Sequence, residues 1–555
     1  MYDCPACGGN LKFDIDSQQL LCGYCNTKYD PYQITKDKDG EEQSDFEVTV
    51  FTCPQCGGEI MSTDNTAAGF CSFCGASTIL TSRISKEKRP NYIIPFKKTK
   101  ADCKRQYRKL MRRFLYAPSE LKNPDQINGF RGIYMPYWVY HFSQNGELLL
   151  KGSKSHRSGD YIITRHYNLM GNLDASYNGI SFDGSSSFSD RISESIAPFD
   201  VKQRKEFTPS LLSGFYADTS DLDQMLYKFD AESIANDETA EFIMKEKKFK
   251  KYNIKISNNQ SSNFHTKTES VDLAMFPVWF MSYKNGDRVS YATMNGQTGK
   301  IFADLPVSVP KYLIGAGILS IPIFLLLNMF LTITPTSLVM IVAVLAAMVG
   351  IIYAAELSKV AVRENDEDDK GKQEAERLAA YRKEKREREA AEAVGVDLPF
   401  VQNDKQGKKK KEINKHDMGA GIIVSLLMMG AIVGWRILLE SGISVLSLMQ
   451  TLAGRQGIIL VSLVAVIISY ISSRKSMKRI DAKKGLPAAI WIIVAEVIAF
   501  IVGIVAPVKD IYYYAMVILM LFSIGVVLID LIGCYNIFAT RKLPQFDYQG
   551  GDDRA

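Results

Sequence analysis

Eight of the ten cysteines lie near the start of the chain, in two groups with identical internal spacing. In each group, fourteen residues separate two Cys-x-x-Cys pairs, a spacing typical of structural zinc sites. Thiolates bind zinc at about 2.3 Å, and four of them close the coordination shell, which leaves no position for a substrate. The sequence therefore predicts two structural Zn²⁺ ions, bound by Cys4, Cys7, Cys22 and Cys25, and by Cys53, Cys56, Cys71 and Cys74.

Disulfide pairing is the alternative use of these cysteines, and it requires an oxidising compartment. No signal-peptide pattern is found, so we expect zinc. The segment between the two pairs of each group is too short to bury a core, and the metal must hold the unit together. We expect the two remaining cysteines, Cys103 and Cys534, to be free thiols.

A catalytic constellation is not evident from the sequence. The histidines before residue 310 lack metal-ligand spacing, and the chain contains no Gly-x-x-x-x-Gly-Lys-Ser/Thr loop. Four aspartates could act as acid or base, but we expect them to be exposed turn residues: Asp200, Asp218, Asp221 and Asp223. We therefore expect that the protein is not an enzyme.

The distribution of charge separates the cysteine units from the segment that follows them. Residues 1–30 contain two lysines and four aspartates, and residues 46–80 contain no Lys or Arg. Since each Zn-Cys4 site adds two negative charges, these units would repel nucleic acid. We interpret them as protein-docking units, with five aromatic residues that either contact a partner or cover the metal: Tyr24, Tyr29, Tyr32, Phe51 and Phe73.

Residues 83–113 reverse this charge, with thirteen Lys or Arg against Glu87 and Asp102. Thr99 and Asp102 fit a capping box, and the apolar residues that follow recur at helical spacing. The result is an amphipathic helix whose basic face is solvated, contacts anionic lipid or binds nucleic acid; these alternatives remain open, with nucleic acid the least favoured. Its candidate contact residues are Lys104, Arg105, Arg108, Lys109, Arg112 and Arg113, joined later in the chain by Lys408, Lys409, Lys410 and Lys411.

Residues 90–310 have the pattern of an α+β domain with an internal repeat. Two Pro-x-Trp segments, 133–140 and 274–281, are each followed by an Asn-Gly pair, which predicts hairpin turns at Asn145-Gly146 and Asn285-Gly286. A helical segment precedes each, at 100–115 and at about 231–251. We therefore predict two helix-plus-hairpin units.

Beyond residue 310, about six apolar segments are long enough to cross a bilayer. They lie near 312–333, 337–355, 419–439, 457–472, 487–507 and 511–534. The basic clusters fall between alternate spans, so the positive-inside rule places both termini in the cytoplasm. We predict a multi-pass protein of the bacterial cytoplasmic membrane, which leaves open whether it forms a homo-oligomer.

Polar residues inside membrane spans are functional candidates by default. Here they are Asn328, Arg436, Glu440, Glu496 and Asp530, of which only Glu496 lies well inside a span without an evident partner. A buried carboxylate of this kind either belongs to a proton or ion path, as in a transporter or channel, or makes a hydrogen bond between packed helices. We expect the helix-packing role.

The combined pattern resembles a known family. Tandem Cys-Pro-x-Cys-Gly units, a Pro-x-Trp domain ending in Asn295-Gly-Gln-Thr-Gly-Lys300, and membrane spans are similar to bacterial TFIIB-type zinc-ribbon membrane proteins. Some of these proteins are encoded beside SPFH-domain and phage-shock-type proteins. The resemblance implies an adaptor that recruits such a cytosolic partner in membrane organisation or envelope stress.

The predicted fold is therefore multidomain: two small Cys4 zinc ribbons, an α+β domain with an internal repeat, and an α-helical membrane domain of about six spans. The boundaries are 1–35 (first ribbon), 46–82 (second ribbon), 90–310 (α+β domain), 311–356 (spans one and two), 357–417 (charged cytoplasmic helical insert), 418–540 (spans three to six) and 541–555 (cytoplasmic tail).

Overall fold

The chain folds into a small zinc-ribbon-like unit, a large sheet flanked by helices, and a set of apolar helices near its C-terminus. These parts are seen in a computed structural model. The structure describes residues 2–35, 45–62, 71, 73–74, 81–124, 127, 129–254, 264–330, 333–393, 452–480 and 485–542.

Sixteen strands form two sheets within the described ranges. The first ribbon is a three-stranded antiparallel sheet, β1-β2-β3, and the other thirteen strands form the large sheet. The strands are β1 (Leu11–Asp14), β2 (Gln19–Cys22), β3 (Lys28–Tyr29), β4 (Asp45–Thr52), β5 (Glu59–Ser62), β6 (Thr81–Lys88), β7 (Tyr92–Ile93), β8 (Arg131–Ser158), β9 (Tyr161–Asp183), β10 (Lys205–Glu206), β11 (Tyr216–Ala217), β12 (Asn253–Ile254), β13 (Thr266–Asn285), β14 (Arg288–Asn295), β15 (Ile301–Ala303) and β16 (Arg541–Lys542).

The two Pro-x-Trp segments lie side by side at the centre of the large sheet. They belong to β8 and β13, which pair antiparallel with Pro136 opposite Met275. Each tryptophan indole donates to a main-chain carbonyl oxygen outside the pair, Trp138 to Leu222 (2.9 Å) and Trp279 to Lys98 (2.8 Å). Both strands are almost continuously buried over these segments, as expected for strands covered on both faces.

The two predicted hairpin turns have different outcomes. Chain reversal does occur at Gly286, whose φ is +63°, between β13 and β14. The turn predicted at Asn145-Gly146 is wrong, because β8 runs through it to Ser158. Both neighbours of β8 pair with it there, β9 at Gly146 and β13 at the adjacent Gln144, so sheet hydrogen bonds override the local turn preference. The predicted internal repeat stays a prediction.

Ten helices are found in the described part of the chain. They are α1 (Pro31–Thr35), α2 (Lys100–Arg113), α3 (Asp190–Ile196), α4 (Lys228–Lys245), α5 (Val309–Phe330), α6 (Pro335–Glu364), α7 (Lys370–Ala393), α8 (Leu452–Met477), α9 (Ala489–Val505) and α10 (Ile511–Phe538).

The predicted capping box is present at the start of α2, where Thr99 and Asp102 bond reciprocally. The helix predicted at about 231–251 is α4, and it is shorter than predicted at its C-terminal end. It ends at Lys245, because the backbone of Glu246 is extended. The lysines from Lys247 to Lys251 therefore lie beyond the helix.

Among the residues that the structure describes, four helices are long and apolar enough to cross a membrane, which indicates a membrane protein. Their spanning parts are Val309–Leu327, Pro335–Glu364, Gln456–Met477 and Ile511–Phe538. They coincide with four of the predicted segments. A fifth, α9, is apolar but only 17 residues long, about 26 Å at the helical rise of about 1.5 Å per residue. The predicted span 419–439 lies outside the described residues.

The membrane helices and the large sheet are joined through Arg288, at the start of β14. Its guanidinium pairs with Glu364 at the end of α6 (Nη2 to Oε1, 2.5 Å) and donates to main-chain oxygens of Ile537 and Thr540. The Glu364 side chain is only 2% exposed and that of Arg288 16%. After α10 the chain adds β16 to the edge of β14, where Lys542 lies opposite Arg288 in the strand pairing.

Replacing Arg288 by Ala is expected to lower the free energy of unfolding by about 3 kcal/mol, because Glu364 would remain buried without a cation. Chemical denaturation of the full chain in detergent micelles measures this. Lys245→Ala is the matched control, since Lys245 and Glu241 form an exposed ion pair whose loss should cost much less than that of the buried pair. Equal losses in the two variants would contradict the role of the buried pair.

Candidate metal centres and membrane-facing site

The first four-cysteine centre is built from two turns with the same backbone geometry. Gly8 donates its amide to the Cys4 carbonyl (2.8 Å), and Asn26 donates to that of Cys22 (3.0 Å). Both turns need a left-handed residue, and Gly8 (φ +71°) and Asn26 (φ +56°) supply it. As a result the Sγ atoms approach in pairs, Cys4 to Cys25 at 3.6 Å and Cys7 to Cys22 at 3.4 Å.

The second centre repeats this arrangement. Gly57, also at φ +71°, donates to the Cys53 carbonyl at 2.8 Å. The Sγ atoms of Cys53 and Cys74 are 3.8 Å apart, and those of Cys56 and Cys71 are 3.7 Å apart. The sulfur–sulfur distances are similar in the two centres because the two cysteine groups have the same spacing in the sequence.

Both centres fit a tetrahedral metal ion. Four sulfurs at about 2.3 Å from one ion stand about 3.8 Å from one another, and within each group all four sulfurs lie within 4.8 Å. None of the ten cysteines, all of which lie in the described ranges, forms a disulfide, and the shortest sulfur separation given above is well beyond the bonding distance of about 2.05 Å. The geometry is therefore that of two four-thiol metal sites, compatible with the predicted structural zinc ions, and Cys103 and Cys534 are not disulfide-bonded, as predicted.

The two centres differ in exposure. In the first, Cys7 and Cys25 are exposed, whereas all four cysteines of the second are buried. The second is enclosed because its strands β4, β5 and β6 belong to the large sheet. In addition, the Tyr291 hydroxyl donates to the Phe73 carbonyl at 2.7 Å, and the Phe73 ring packs edge-on to Phe280. The sequence gives no sign of this difference, since the two spacings are identical.

The first ribbon packs on the large sheet with one side only. Phe13 donates its amide to Ser213 (2.9 Å), the Gln18 side chain donates to Phe96 (2.8 Å), and Ser210 donates to Pro31 (2.9 Å). Cys7, Cys25 and Tyr24 are exposed to solvent, and Tyr24 is 82% exposed.

The five candidate aromatic residues are divided by these contacts. Phe51 and Phe73 are buried, and the Tyr32 hydroxyl donates to Glu206 (2.9 Å). The Tyr29 hydroxyl lies 3.4 Å from the Cys4 sulfur, and its hydrogen bond is the main influence that lowers the pKa of this thiol. Tyr24 is thus the candidate most available to a partner.

The aspartates proposed as exposed turn residues divide as well. Asp200, Asp221 and Asp223 are exposed, but Asp218 is buried. Ser185 and Ser187 each donate to Asp218 Oδ2 at 2.6 Å. Burial raises the pKa of Asp218 to about 7. The serine loop therefore holds Asp218 in a structural network that the sequence pattern did not reveal.

Helix α2 buries Cys103, Tyr107 and Met111 and turns its basic residues outward. Its C-terminal end adjoins the first membrane helix: Ser308 donates to Tyr116 (2.8 Å), and Lys311 donates to Ala117 (2.9 Å). Of the candidate lipid contacts, Lys104 is half-buried and the other five are exposed: Arg105, Arg108, Lys109, Arg112 and Arg113.

Apolar residues extend the basic face of α2 toward the membrane helix. Phe114 is 42% exposed and Leu115 is 70% exposed, directly after Arg112 and Arg113. Basic and apolar side chains at the entry to a span are suited to the headgroup region of a bilayer. Lys408 to Lys411 lie outside the described residues.

The membrane helices α6, α8, α9 and α10 share one buried core. Asp530 accepts a hydrogen bond from the Tyr353 hydroxyl (2.5 Å) within it. Glu496 is fully buried on α9, and neither of its carboxylate oxygens has a hydrogen-bond partner in the described part of the chain. The helix-packing hydrogen bond expected for Glu496 stays a prediction: the Ser462 hydroxyl of α8 lies beside its carboxyl group, but that hydroxyl donates to the Ile459 carbonyl oxygen. Arg436 lies outside it.

Comparison with known proteins identifies a relative without assigning a function. No family model matches the chain, and no solved structure matches it significantly. The uncharacterized protein YdjG of Bacillus subtilis (strain 168) is 27% identical over 315 residues, which cover 56% of this chain and 91% of that protein. The resemblance to TFIIB-type zinc-ribbon proteins stays a prediction.

We expect that metal analysis of the purified chain gives two ions per molecule, and that Cys7→Ser and Cys56→Ser each give one. The variants should differ in stability, because only the second centre lies within the large sheet. Cys56→Ser should lower the melting temperature more than Cys7→Ser does. Cys103→Ser, which removes a buried thiol away from both centres, should retain two ions. Metal content unchanged in either ligand variant would contradict the assignment.

Proposed function

We propose that the chain is a membrane adaptor whose first ribbon binds a cytosolic protein at the bacterial cytoplasmic membrane. The observation that carries this proposal is the difference between the two four-cysteine centres. The second is enclosed by the large sheet, whereas the first exposes Cys7, Cys25 and Tyr24. A closed four-thiol site offers no position for a substrate, so the exposed edge is suited to binding a protein.

Zinc is the metal that this donor set favours. Four thiolates in tetrahedral arrangement are typical of zinc and of iron–sulfur sites, and the Cys-x-x-Cys turns with a short hairpin between them favour zinc. Each ion would hold its ribbon together, and neither would take part in a reaction.

Six membrane crossings agree with the ends of the described helices. The start of α6 lines one cavity with the start of α8, the end of α9 and the start of α10, so these ends lie together. The opposite ends of α6 and α10 meet Arg288 of the large sheet. Helix α6 therefore ends on the membrane side of the large sheet, and α8 begins on the other side. The chain must cross the membrane an odd number of times between them, and the predicted span 419–439 would supply one crossing.

The cytoplasmic placement of both termini rests on two further arguments. The strand β16 follows the last span and pairs with β14, which supports a common side for the α+β domain and the C-terminal tail. The positive-inside rule and the reducing environment that thiol ligands require both favour the cytoplasm for that side.

The partner should carry a basic or apolar surface. Residues 1–30 contain two lysines against four aspartates, and a Zn-Cys4 site adds two negative charges. The family resemblance suggests an SPFH-domain or phage-shock-type protein, in membrane organisation or envelope stress. Anionic lipid at the basic face of α2 would fix the height of the ribbon above the membrane.

Two variants of the first ribbon test the adaptor proposal. Tyr24→Ala removes exposed ring area and keeps the metal, whereas Cys25→Ser removes a metal ligand. Both should reduce recovery of one cytosolic protein at least tenfold when the chain is crosslinked in native membranes and purified. Phe229→Ala, which removes a 79% exposed ring on α4, should recover that protein at the wild-type level.

The adaptor proposal fails if both ribbon variants retain every protein that the wild type retains. Membrane fractionation supplies the folding check, because all three variants should remain inserted. Self-association would be recognised by recovery of a second, differently tagged copy of this chain.

A further inference from the structure

Glu496 is a buried carboxyl group in the middle of the helical core. Its residue is 0% exposed, and both oxygens lack hydrogen-bond partners in the described ranges. The Ser462 hydroxyl on α8 faces the carboxyl group but donates its own hydrogen to the Ile459 carbonyl oxygen (2.8 Å). Glu496 is thus held in the bundle with one hydroxyl beside it and, among the described residues, no cation that would balance a negative charge.

The surroundings of Glu496 accommodate a neutral carboxyl group. An ionised carboxylate inside a bilayer requires a counter-ion or several hydrogen bonds. No charged group in the described parts of α6, α8 and α10 acts on the Glu496 carboxyl group. The other buried acid of the bundle, Asp530, is bonded to Tyr353 at the end near the large sheet. A bound proton is the smallest ligand that removes this charge, and it needs no coordination shell.

A cavity of about 30 Å³ lies about one helical turn from Glu496, toward the end of the bundle that is remote from the large sheet. Its lining includes Ala499, three residues after Glu496 on α9, and Ile459, three residues before Ser462 on α8. The volume suffices for one or two water molecules. The cavity therefore brings water-sized space close to the carboxyl group from the side remote from the large sheet.

Two residues keep this cavity open and polar. Gln456 lines it, and its buried Oε1 has no hydrogen-bond partner in the described part of the chain. Gly503 leaves room for the Gln456 side chain, since a Cβ at position 503 would lie 2.2 Å from the Gln456 Nε2 atom. An amide oxygen of this kind is suited to orienting a water molecule.

We propose that Glu496 is a proton-binding site that exchanges protons with the aqueous phase on the membrane side remote from the four-cysteine centres, through the cavity at Gln456 and Gly503. The step is the reversible protonation of one carboxylate. This site is independent of the adaptor proposal, because it uses neither ribbon.

Infrared difference spectroscopy of the full chain in sealed, oriented proteoliposomes tests the site. A pH step on the remote side should change the carbonyl band of a protonated carboxyl group in the wild type. Glu496→Gln, a neutral side chain of the same shape, should lose this change. Asp530→Asn is the matched control and should retain it, since Asp530 is bonded to Tyr353 at the other end of the bundle.

Two variants test the route. Gln456→Leu removes the polar lining, and Gly503→Val would displace the Gln456 amide that it meets; each should slow the response at least tenfold with its amplitude at equilibrium unchanged. Size-exclusion chromatography confirms that each variant is folded. The proposal is overturned if the wild type shows no carboxyl response, if Glu496→Gln retains it, or if the response follows the pH on the side of the large sheet.

Discussion

Convergence of four sulfur atoms on one point is the constraint on which the N-terminal half depends. A ribbon of this length buries little core of its own, so a metal ion held by the four sulfurs would supply the cohesion that packing supplies elsewhere. The same constraint is met twice with nearly the same distances, but in different surroundings. The second ribbon contributes its strands to the large sheet, and the first is fixed along one side and exposed along the other. The same four-thiol arrangement is therefore enclosed in the second ribbon and partly exposed in the first.

The large sheet transmits the position of the membrane helices to the ribbons. Arg288 links β14 to Glu364 and to the end of α10, and β14 continues through β13 and β8 toward the strands of the second ribbon. The segment after α2 meets the start of the first membrane helix, where Ser308 donates to Tyr116. The first ribbon is therefore held at a fixed place relative to the bundle, as the proposed adaptor function would require.

Local sequence patterns predicted the features that depend on neighbouring residues. The cysteine spacing identified both centres, Thr99 and Asp102 formed the predicted capping box, and Gly286 formed the predicted turn. The pattern failed at Asn145-Gly146, where pairing to two neighbouring strands outweighs the turn preference. Contacts between distant residues, such as Arg288 with Glu364 and Tyr291 with Phe73, leave no trace in a single sequence. The burial of the second ribbon and of Asp218 depends on such contacts and could not be predicted.

A photo-crosslinking residue placed at Tyr24 in the living cell tests the central claim most directly. The same residue at Phe229, which is almost equally exposed on another element, is the reference position. If the first ribbon is the docking unit, light should join position 24 to one cytosolic protein and should not join position 229 to it. Absence of any product at position 24, or the same products at both positions, would contradict the claim that the first ribbon is the docking unit.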